Sequence, residues 1–369
     1  MLGQGAQPWR QLMPAWHQGR QLQPRLPHQG IYGISLMWTK VPNPQTHGSQ
    51  PACRSFGMVM MPALAPPHQA RPICQPWYRP LIAHPHRMTS PTPNSLTKWI
   101  RRTVVVLVLL PVLLWAAAVA YVWSHQEKLL FAPQVLAQDA DLHQADTKEE
   151  WVDVPGARLH ALHMRQPDVD HRRHTKGLVF YLHGNAGNVS TWFTNADFWR
   201  RSGYDLFMLD YRGYGKSSGH LENQAQLLDD VMQAWRQVAP EFVGLKHVIF
   251  GRSLGTGLAT FLATQVKADM LVLVSPYQSI QAMATSRYPW VPGAVLRYPL
   301  HTDQWLPQVD TPVLIFHGEQ DTLIPIEHAE HLLALKPTAT LVRIPQAGHG
   351  DIQKMQLYTD TLMARLQGL

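Results

Sequence analysis

Short apolar segments alternate with longer amphipathic segments along the chain from residue 125 onward. The apolar segments have the length and composition of buried strands and occupy residues 177–182, 205–210, 248–251, 270–274, 313–316 and 341–344. Segments with helical spacing follow them at residues 221–238, 258–266, 326–335 and 352–366. Residues 151–154 and 158–164 predict a hairpin around Pro155 and Gly156. This alternation predicts an α/β domain with a mainly parallel sheet and helices on both of its faces.

A different pattern precedes residue 125. Residues 103–123 form a run of 21 residues without a charge, and as a helix this run would be about 31 Å long, close to the hydrocarbon thickness of a bilayer. Three basic side chains precede it: Lys98, Arg101 and Arg102. The positive-inside rule then predicts a single-pass anchor with a cytoplasmic N-terminus and the remaining chain on the far, periplasmic or extracytoplasmic side. A cleaved signal peptide with a cleavage site at residues 118–120 is the alternative, but the uninterrupted length and aromatic end favour an uncleaved anchor.

The first hundred residues differ in composition from the rest of the chain. They contain nine Lys or Arg, 16 of the 30 prolines and no Asp or Glu. This composition predicts a disordered segment over residues 1–100, or a mis-assigned start with Met88 as the true initiator. Both cysteines, Cys53 and Cys74, lie in this segment, so neither disulfides nor thiol catalysis are predicted for the domain at residues 125–369.

The formal net charge of +7 also comes from this N-terminal segment, because the other 269 residues carry 23 basic and 25 acidic side chains. No basic cluster with interleaved aromatic residues follows residue 102. Nucleic acid is therefore not predicted as a partner.

A Gly-x-Ser-x-Gly motif lies where the apolar run at residues 248–251 leads into helix-forming sequence. Gly251, Ser253 and Gly255 supply its fixed positions. A serine on a sharp strand-to-helix turn is a nucleophile elbow, because the turn projects its hydroxyl above the sheet. The same motif occurs around Ser217, but that serine lies in a polar, glycine-rich loop well past the end of a strand. We therefore predict Ser253 as the nucleophile.

A serine hydroxyl needs a base to accept its proton and an acid to orient that base. Asp321 follows the strand segment that ends at residue 316, and His349 follows the segment that ends at residue 344. Because the carboxyl ends of parallel strands share one edge of a sheet, these loops predict a triad of Ser253, His349 and Asp321. Rival candidates are the acids Glu319 and Asp351 and the bases His317, His328 and His331. A loop histidine between glycines can swing toward the serine, which favours His349.

The loop after the segment at residues 177–182 supplies candidates for an oxyanion hole. Asn185 follows His183 and Gly184 there, and the glycine lets the backbone approach a substrate closely. The backbone N–H groups of Asn185 and Leu254 are predicted to hold the oxyanion. The alternative role, holding the loop by side-chain hydrogen bonds, is favoured for His183 and remains open for Asn185.

Several motifs together resemble the α/β-hydrolase superfamily. They are residues 183–188, 210–219 and 251–257 and the loops that contain Asp321 and His349. Within the superfamily they are most similar to a group of membrane-anchored serine hydrolases that includes lysophospholipases and acyl-protein thioesterases. Residues 129–133, Leu-Leu-Phe-Ala-Pro, also resemble that group. The resemblance covers residues 125–369 and implies the α/β-hydrolase fold, the triad assignment and ester or thioester hydrolysis, without a defined substrate.

The aromatic segment at residues 275–310 is the only place for a cap. Packing against the elbow helix and lining an acyl site are both open for its aromatic side chains. A short cap predicts an open, shallow pocket that suits a small or membrane-presented acyl group. We therefore expect a serine hydrolase that acts on a small-molecule or lipid-like acyl substrate without a metal or cofactor. The alternatives are a non-catalytic binding protein and a peptidase of the same fold.

Overall fold

A computed structural model describes residues 93–142, 146–169 and 172–369 of the protein. The predictions for residues 1–92, including the start at Met88 and the role of the two cysteines, lie outside the described residues.

The first element is a long helix, α1, at Pro93–Leu130. Its mean hydropathy reaches 2.7 in the most apolar 18-residue window, none of which is buried, so it is long and apolar enough to cross a membrane. Pro111 lies inside the helix without ending it. Residues 93–100 are thus helical, although the prediction assigned them to the disordered segment.

Contacts with the folded domain explain why α1 continues past the apolar run. The Gln126 side chain donates to the Val295 carbonyl over 2.7 Å and accepts from the Arg297 N–H, also over 2.7 Å. The Arg297 guanidinium donates to Glu127 over 2.6 Å. These bonds attach the last turns of α1 to residues 295–297 of the folded domain.

The described part of the chain forms a central sheet of eight strands and two small two-stranded pairs. Its strands are β1 Ala132–Pro133, β2 Thr147–Val154, β3 Ala157–Met164, β4 Asp168–Val169, β5 Arg172–Arg173, β6 Gly177–Leu182, β7 Ala186–Gly187, β8 Asp205–Leu209, β9 Lys246–Arg252, β10 Met270–Val274, β11 Val313–Gly318 and β12 Thr340–Ile344. The order in the central sheet is β12-β11-β10-β9-β6-β8-β3-β2. The hairpin β2–β3 is antiparallel and pairs antiparallel with β8, whereas the remaining neighbours are parallel.

Helices cover both faces of the central sheet. After α1 they are α2 Val189–Trp192, α3 Ala196–Ser202, α4 Gln224–Val238, α5 Gly255–Gln265, α6 Ile280–Arg287, α7 Thr302–Trp305, α8 Glu327–Leu335 and α9 Gln356–Gln367. Each face of the sheet has its own hydrophobic core, and alternate residues of β6 point into one or the other. Phe180 packs in the core that includes α4, α5 and α8, and Val179 packs in the core that includes α3 and α9. The predicted mainly parallel sheet with helices on both faces is confirmed.

The segment between β10 and β11 packs mainly against the elbow helix α5. Tyr277 and Tyr298 are buried, and the Tyr277 hydroxyl donates to the Leu254 carbonyl over 2.9 Å. Trp305 meets Phe261 of α5 edge-on, with ring centroids 5.4 Å apart. For these aromatic side chains the packing interpretation, rather than the acyl-lining one, describes the structure.

Candidate active site

The turn between β9 and α5 carries Ser253 in a strained backbone conformation. Its φ is +51°, in the left-handed region that a side chain seldom adopts. A Cβ added to Gly251 would lie 2.6 Å from the Gly255 carbonyl oxygen, and one added to Gly255 would lie 2.0 Å from the carbonyl oxygen of Leu182. The two fixed glycines of the motif are therefore required by close backbone approach, and the turn they permit orients the serine.

Three side chains from separate loops form one hydrogen-bonded chain beside this turn. His349 Nε2 lies 2.9 Å from Ser253 Oγ, and His349 Nδ1 lies 2.7 Å from Asp321 Oδ2. Asp321 follows β11 and His349 follows β12, as the sequence predicted. The structure brings together all three residues predicted for the triad.

The Asp321 carboxylate is held by hydrogen bonds on both of its oxygens. Oδ1 accepts the Leu323 N–H over 3.0 Å and the Ile324 N–H over 2.8 Å, while Oδ2 faces the His349 ring. Burial alone would raise the pKa of Asp321, but the hydrogen bond from His349, the charge it can carry and the Ile324 N–H lower that pKa below its usual value. Asp321 is therefore ionised at neutral pH and can hold the imidazole with Nδ1–H toward itself, leaving Nε2 to accept the serine proton.

The rival nucleophile and bases have other partners. Ser217 Oγ donates to the Asp210 carbonyl over 2.9 Å and accepts the His160 N–H over 2.7 Å, so it braces a loop. His317 is buried, with Nε2 2.7 Å from the Ile324 carbonyl. His328 accepts the Gln278 N–H over 3.3 Å. His331 is exposed on α8.

The rival acids lie in the same two loops as Asp321 and His349. Glu319 is exposed to solvent. Asp351 Oδ1 accepts the Gly348 N–H over 2.7 Å and so stabilises the turn that carries His349. Asp321 is the acid that the structure places against the imidazole.

The loop after β6 passes close to Ser253. A Cβ added to Gly184 would lie 3.5 Å from the Ser253 Cβ. The Asn185 side chain donates to the Leu130 carbonyl over 3.1 Å, and the Asn185 carbonyl accepts the Tyr214 hydroxyl over 2.6 Å. Within the described residues, neither the Asn185 nor the Leu254 backbone N–H donates a hydrogen bond to another protein group. Both groups remain predicted oxyanion donors.

The buried side chain of His183 stabilises the loop after β6. Its side chain is fully buried, with Nδ1 2.7 Å from the Gly184 carbonyl and Nε2 3.3 Å from Asp210 Oδ1. Burial raises the pKa of Asp210, but hydrogen bonds with His160 and His183, the charge of His183 and the Val189 N–H outweigh burial and lower it. His183 thus has the contacts of the structural role that the sequence favoured for it.

Arg252, the variable residue between Gly251 and Ser253, has a role that sequence reasoning missed. Its side chain is 4% exposed. Nη1 donates to Ser275 Oγ over 2.7 Å, and Nη2 donates to the backbone carbonyl of His349. The residue that precedes the serine therefore also fixes the backbone that carries the histidine. The only sequence signal was a long cationic side chain directly after the apolar run at residues 248–251.

A cavity of about 410 Å³ opens beside His349, between the loop after β6 and the start of α9. Its size falls in the range of small-molecule sites. It is lined by Gln134, Tyr181, Ala186, Gly187, Thr191, Trp192, Thr194, Asn195, Phe198, Trp199, Arg252, Val274, His349, Gly350, Gln353, Tyr358 and Thr359. Among the described residues that line it, Arg252 is the one basic side chain besides His349, and none is an Asp or Glu. None of residues 275–310 contributes, so the cap segment does not line this cavity.

No group of three or more His, Cys, Asp or Glu that could hold a metal ion occurs in the described parts of the chain.

Known proteins resemble the chain over the same region. Residues 173–306 match the family model described as serine aminopeptidase, S33, and residues 300–352 match that of the α/β hydrolase fold. The uncharacterised protein YfhR of Escherichia coli O157:H7 is 31% identical over 203 residues, which are 50% of this chain and 70% of YfhR. The uncharacterised protein MT2364 of Mycobacterium tuberculosis is 29% identical over 248 residues, 64% of this chain and 84% of MT2364. The structure of the Pyrococcus furiosus esterase Pf2001 gives a TM-score of 0.49 at 19% identity, covering 64% of this chain and 98% of the esterase.

Proposed function

The chain belongs to the α/β-hydrolase superfamily, and on that premise we propose that it is a serine hydrolase that cleaves carboxylic ester or thioester bonds. The observation that carries the proposal is the pair of contacts through His349, 2.9 Å to Ser253 Oγ and 2.7 Å to Asp321 Oδ2. This is the arrangement that acyl transfer by a serine requires.

In the proposed mechanism, Ser253 Oγ attacks the acyl carbonyl while His349 Nε2 accepts the hydroxyl proton. Negative charge develops on the carbonyl oxygen, toward the N–H groups of Asn185 and Leu254. The bond to the alcohol or thiol then breaks, and that group leaves with the proton from His349. Water, deprotonated by the same imidazole, releases the acyl group and restores the serine. Asp321 orients the ring throughout.

A second candidate function is aminopeptidase activity, which the description of the matching family model favours. An aminopeptidase must bind the ammonium group of its substrate next to the scissile bond. The cavity beside His349 presents the Arg252 guanidinium and no carboxylate, and placing like charges together costs several kcal/mol. The positive charge of Arg252 therefore favours an ester or thioester substrate over a peptide with a free amino terminus.

Turnover of matched substrates tests the choice. We expect the detergent-solubilised full chain to hydrolyse p-nitrophenyl butyrate with a kcat/KM at least about 100-fold above that for the p-nitrophenyl ester of alanine, which differs from it mainly by the ammonium group; this is the factor that a like-charge penalty of a few kcal/mol gives. Boiled protein and detergent alone are the controls. A preference for the aminoacyl ester, together with turnover of alanine p-nitroanilide, would replace the esterase proposal with the peptidase.

We further propose that α1 anchors the enzyme in a membrane, with Lys98, Arg101 and Arg102 on the cytoplasmic side and the hydrolase domain on the other. Contacts of the domain with α1 support a location close to the bilayer. The Arg297 guanidinium donates to the carbonyl of Trp123, the last residue of the apolar run, over 2.9 Å, and Trp290 of the same segment is 43% exposed. Tryptophan is typical of membrane interfaces. A substrate presented by the lipid surface would be near such a domain.

Cysteine labelling tests this topology. With Cys53 and Cys74 replaced by serine, a membrane-impermeant maleimide is expected to label Val243→Cys in sealed right-side-out vesicles, because Val243 is 82% exposed on the domain. Ser95→Cys should be labelled only after the vesicles are opened. Reversed accessibility would overturn the orientation, and release of the protein by alkaline carbonate would overturn the anchor.

A further inference from the structure

Three polar side chains meet in the cavity beside His349, and the triad does not use them as reacting groups. Tyr181 lies near the end of β6, Arg252 at the end of the neighbouring β9, and Tyr358 on α9; all three line the cavity and are 4–8% exposed. The Tyr181 ring stacks on Phe250 with centroids 4.6 Å apart, and Tyr358 meets Phe316 edge-on at 4.8 Å. Packing therefore fixes the positions of both phenol rings.

These groups have unused hydrogen-bonding capacity. In the described part of the chain, neither the Tyr181 nor the Tyr358 hydroxyl forms a hydrogen bond. A guanidinium has five N–H donors, and that of Arg252 donates to Val274 O, Ser275 Oγ and His349 O. Two donors remain, and Arg252 forms no ion pair within the described residues, although the charges of Asp321 and Asp351 act on it without direct contact. The cluster therefore offers guanidinium N–H groups and two phenol hydroxyls to the cavity, and it is complementary to a ligand that supplies negative charge and hydrogen-bond acceptors.

The protonation states agree with a donor cluster. Burial raises the pKa of Tyr181 to about 12, against the opposing effect of the Arg252 charge. Burial also raises the pKa of Tyr358 far above its usual value. Both phenols are therefore protonated at neutral pH and can donate. Burial lowers the pKa of Arg252, but the usual pKa of an arginine is so high that the guanidinium keeps its charge at neutral pH.

We propose that Tyr181, Arg252 and Tyr358 form a subsite for an anionic substituent of the substrate. The inference rests on the proposed esterase or thioesterase function and names its substrate class: acyl esters or thioesters that carry a carboxylate or a phosphate within reach of the scissile carbonyl. Charged oxygens accept strong hydrogen bonds from a guanidinium and from hydroxyl groups. Because His349 lines the same cavity, an anion bound there lies next to the reacting atoms.

The tyrosines give the sharper test, because Arg252 also holds the His349 carbonyl and its replacement would disturb the triad. Two pairs of substrates separate the sources of the anion. The p-nitrophenyl monoester of glutarate is compared with p-nitrophenyl pentanoate for a carboxylate on the acyl side. Octanoylglycerol phosphate is compared with octanoylglycerol for a phosphate on the alcohol side.

In the wild-type full chain we expect kcat/KM for the anionic member of at least one pair to exceed that of its neutral partner by about tenfold or more. Tyr181→Phe and Tyr358→Phe should each lower that ratio about tenfold, because each removes a hydrogen bond to a charged group. Tyr204→Phe is the matched control: Tyr204 is a buried tyrosine just before the amino end of β8 and does not line the cavity, so the ratio should not change.

Inhibition provides a second measurement that needs no variant. Glutarate should inhibit pentanoate ester hydrolysis competitively, and glutaramide, which has the same shape without charge, should not. Ratios near one in both pairs, or ratios unchanged by both tyrosine variants, would overturn the subsite while leaving the hydrolase proposal intact. Absence of any turnover, together with absence of fluorophosphonate labelling, would overturn the hydrolase proposal and the subsite with it.

Discussion

Replacing Ser253 by alanine is expected to lower kcat for ester hydrolysis by at least about 10⁴-fold, the loss typical of removing a triad nucleophile. The same change should abolish labelling by a fluorophosphonate probe, since the probe reacts with an activated serine hydroxyl. The Ser253 hydroxyl is the atom that the structure places 2.9 Å from His349 Nε2. In-gel fluorescence after probe treatment, together with initial rates on p-nitrophenyl butyrate, measures both effects.

Ser217→Ala is the matched control, because Ser217 lies in the same motif pattern and is also buried. Among the described residues, its hydroxyl bonds to backbone groups of Asp210 and His160, so this variant should keep its probe labelling. Labelling that persists in Ser253→Ala, or that disappears only in Ser217→Ala, would assign the nucleophile to the other serine.

Replacing Asp321 by asparagine is expected to lower kcat by about 10⁴-fold while leaving the fold intact, because an amide in that position favours the wrong imidazole tautomer. The carboxylate accepts two backbone N–H groups as well as the His349 ring. An asparagine can keep one oxygen on the backbone and turn its NH₂ group toward Nδ1, which would place the ring proton on Nε2 and block proton transfer from the serine.

The two rival acids are the controls for this variant. Glu319→Gln changes an exposed side chain, and we expect kcat to remain within about twofold, as for most surface substitutions. Asp351→Asn removes the charge from the turn that carries His349, and it should lower kcat less than Asp321→Asn does. A large loss in Glu319→Gln with near-normal activity in Asp321→Asn would transfer the role of the acid to Glu319.

The sheet and its main helices could be predicted because hydrophobic periodicity reports burial directly. β6 and β10 have the predicted bounds, whereas β9 extends to Lys246–Arg252 because its polar ends also pair with neighbouring strands. The predicted helix at residues 352–366 is divided: a 3₁₀ turn at Ile352–Lys354 ends before α9, which begins at Gln356. The spacing of apolar residues continues across this break, so the sequence pattern does not show that the helix is divided.

The short helices α2 and α3 were not predicted. With four and seven residues, they are too short for a periodic pattern to distinguish them from loop. Their capping residues were visible, however: the side chains of Asn188 and Asn195 accept backbone N–H groups of the first turns. These helices form part of the cavity wall, so its shape could not be predicted.

The positions of Ser253, His349 and Asp321 beside one another could be predicted because each residue follows a strand at the same end of the sheet. Arg252 could not, because a side chain in a motif position that tolerates many residues carries no sequence signal about where it points. Its function depends on two contacts, Ser275 and the His349 carbonyl, that are 23 and 97 residues away along the chain. Long-range contacts of this kind are visible only in three dimensions.

The junction between α1 and the domain connects the helix directly to the loop that carries Asn185. Leu130, the last residue of α1, accepts a hydrogen bond from the Asn185 side chain over 3.1 Å, and the Ala132 N–H donates to the Asn185 carbonyl over 2.9 Å. No flexible tether separates the two parts, so tilt of the helix transmits directly to the loop of Asn185. Cutting the chain after Leu130 would free the domain and, at the same time, remove a brace from the loop that faces the nucleophile.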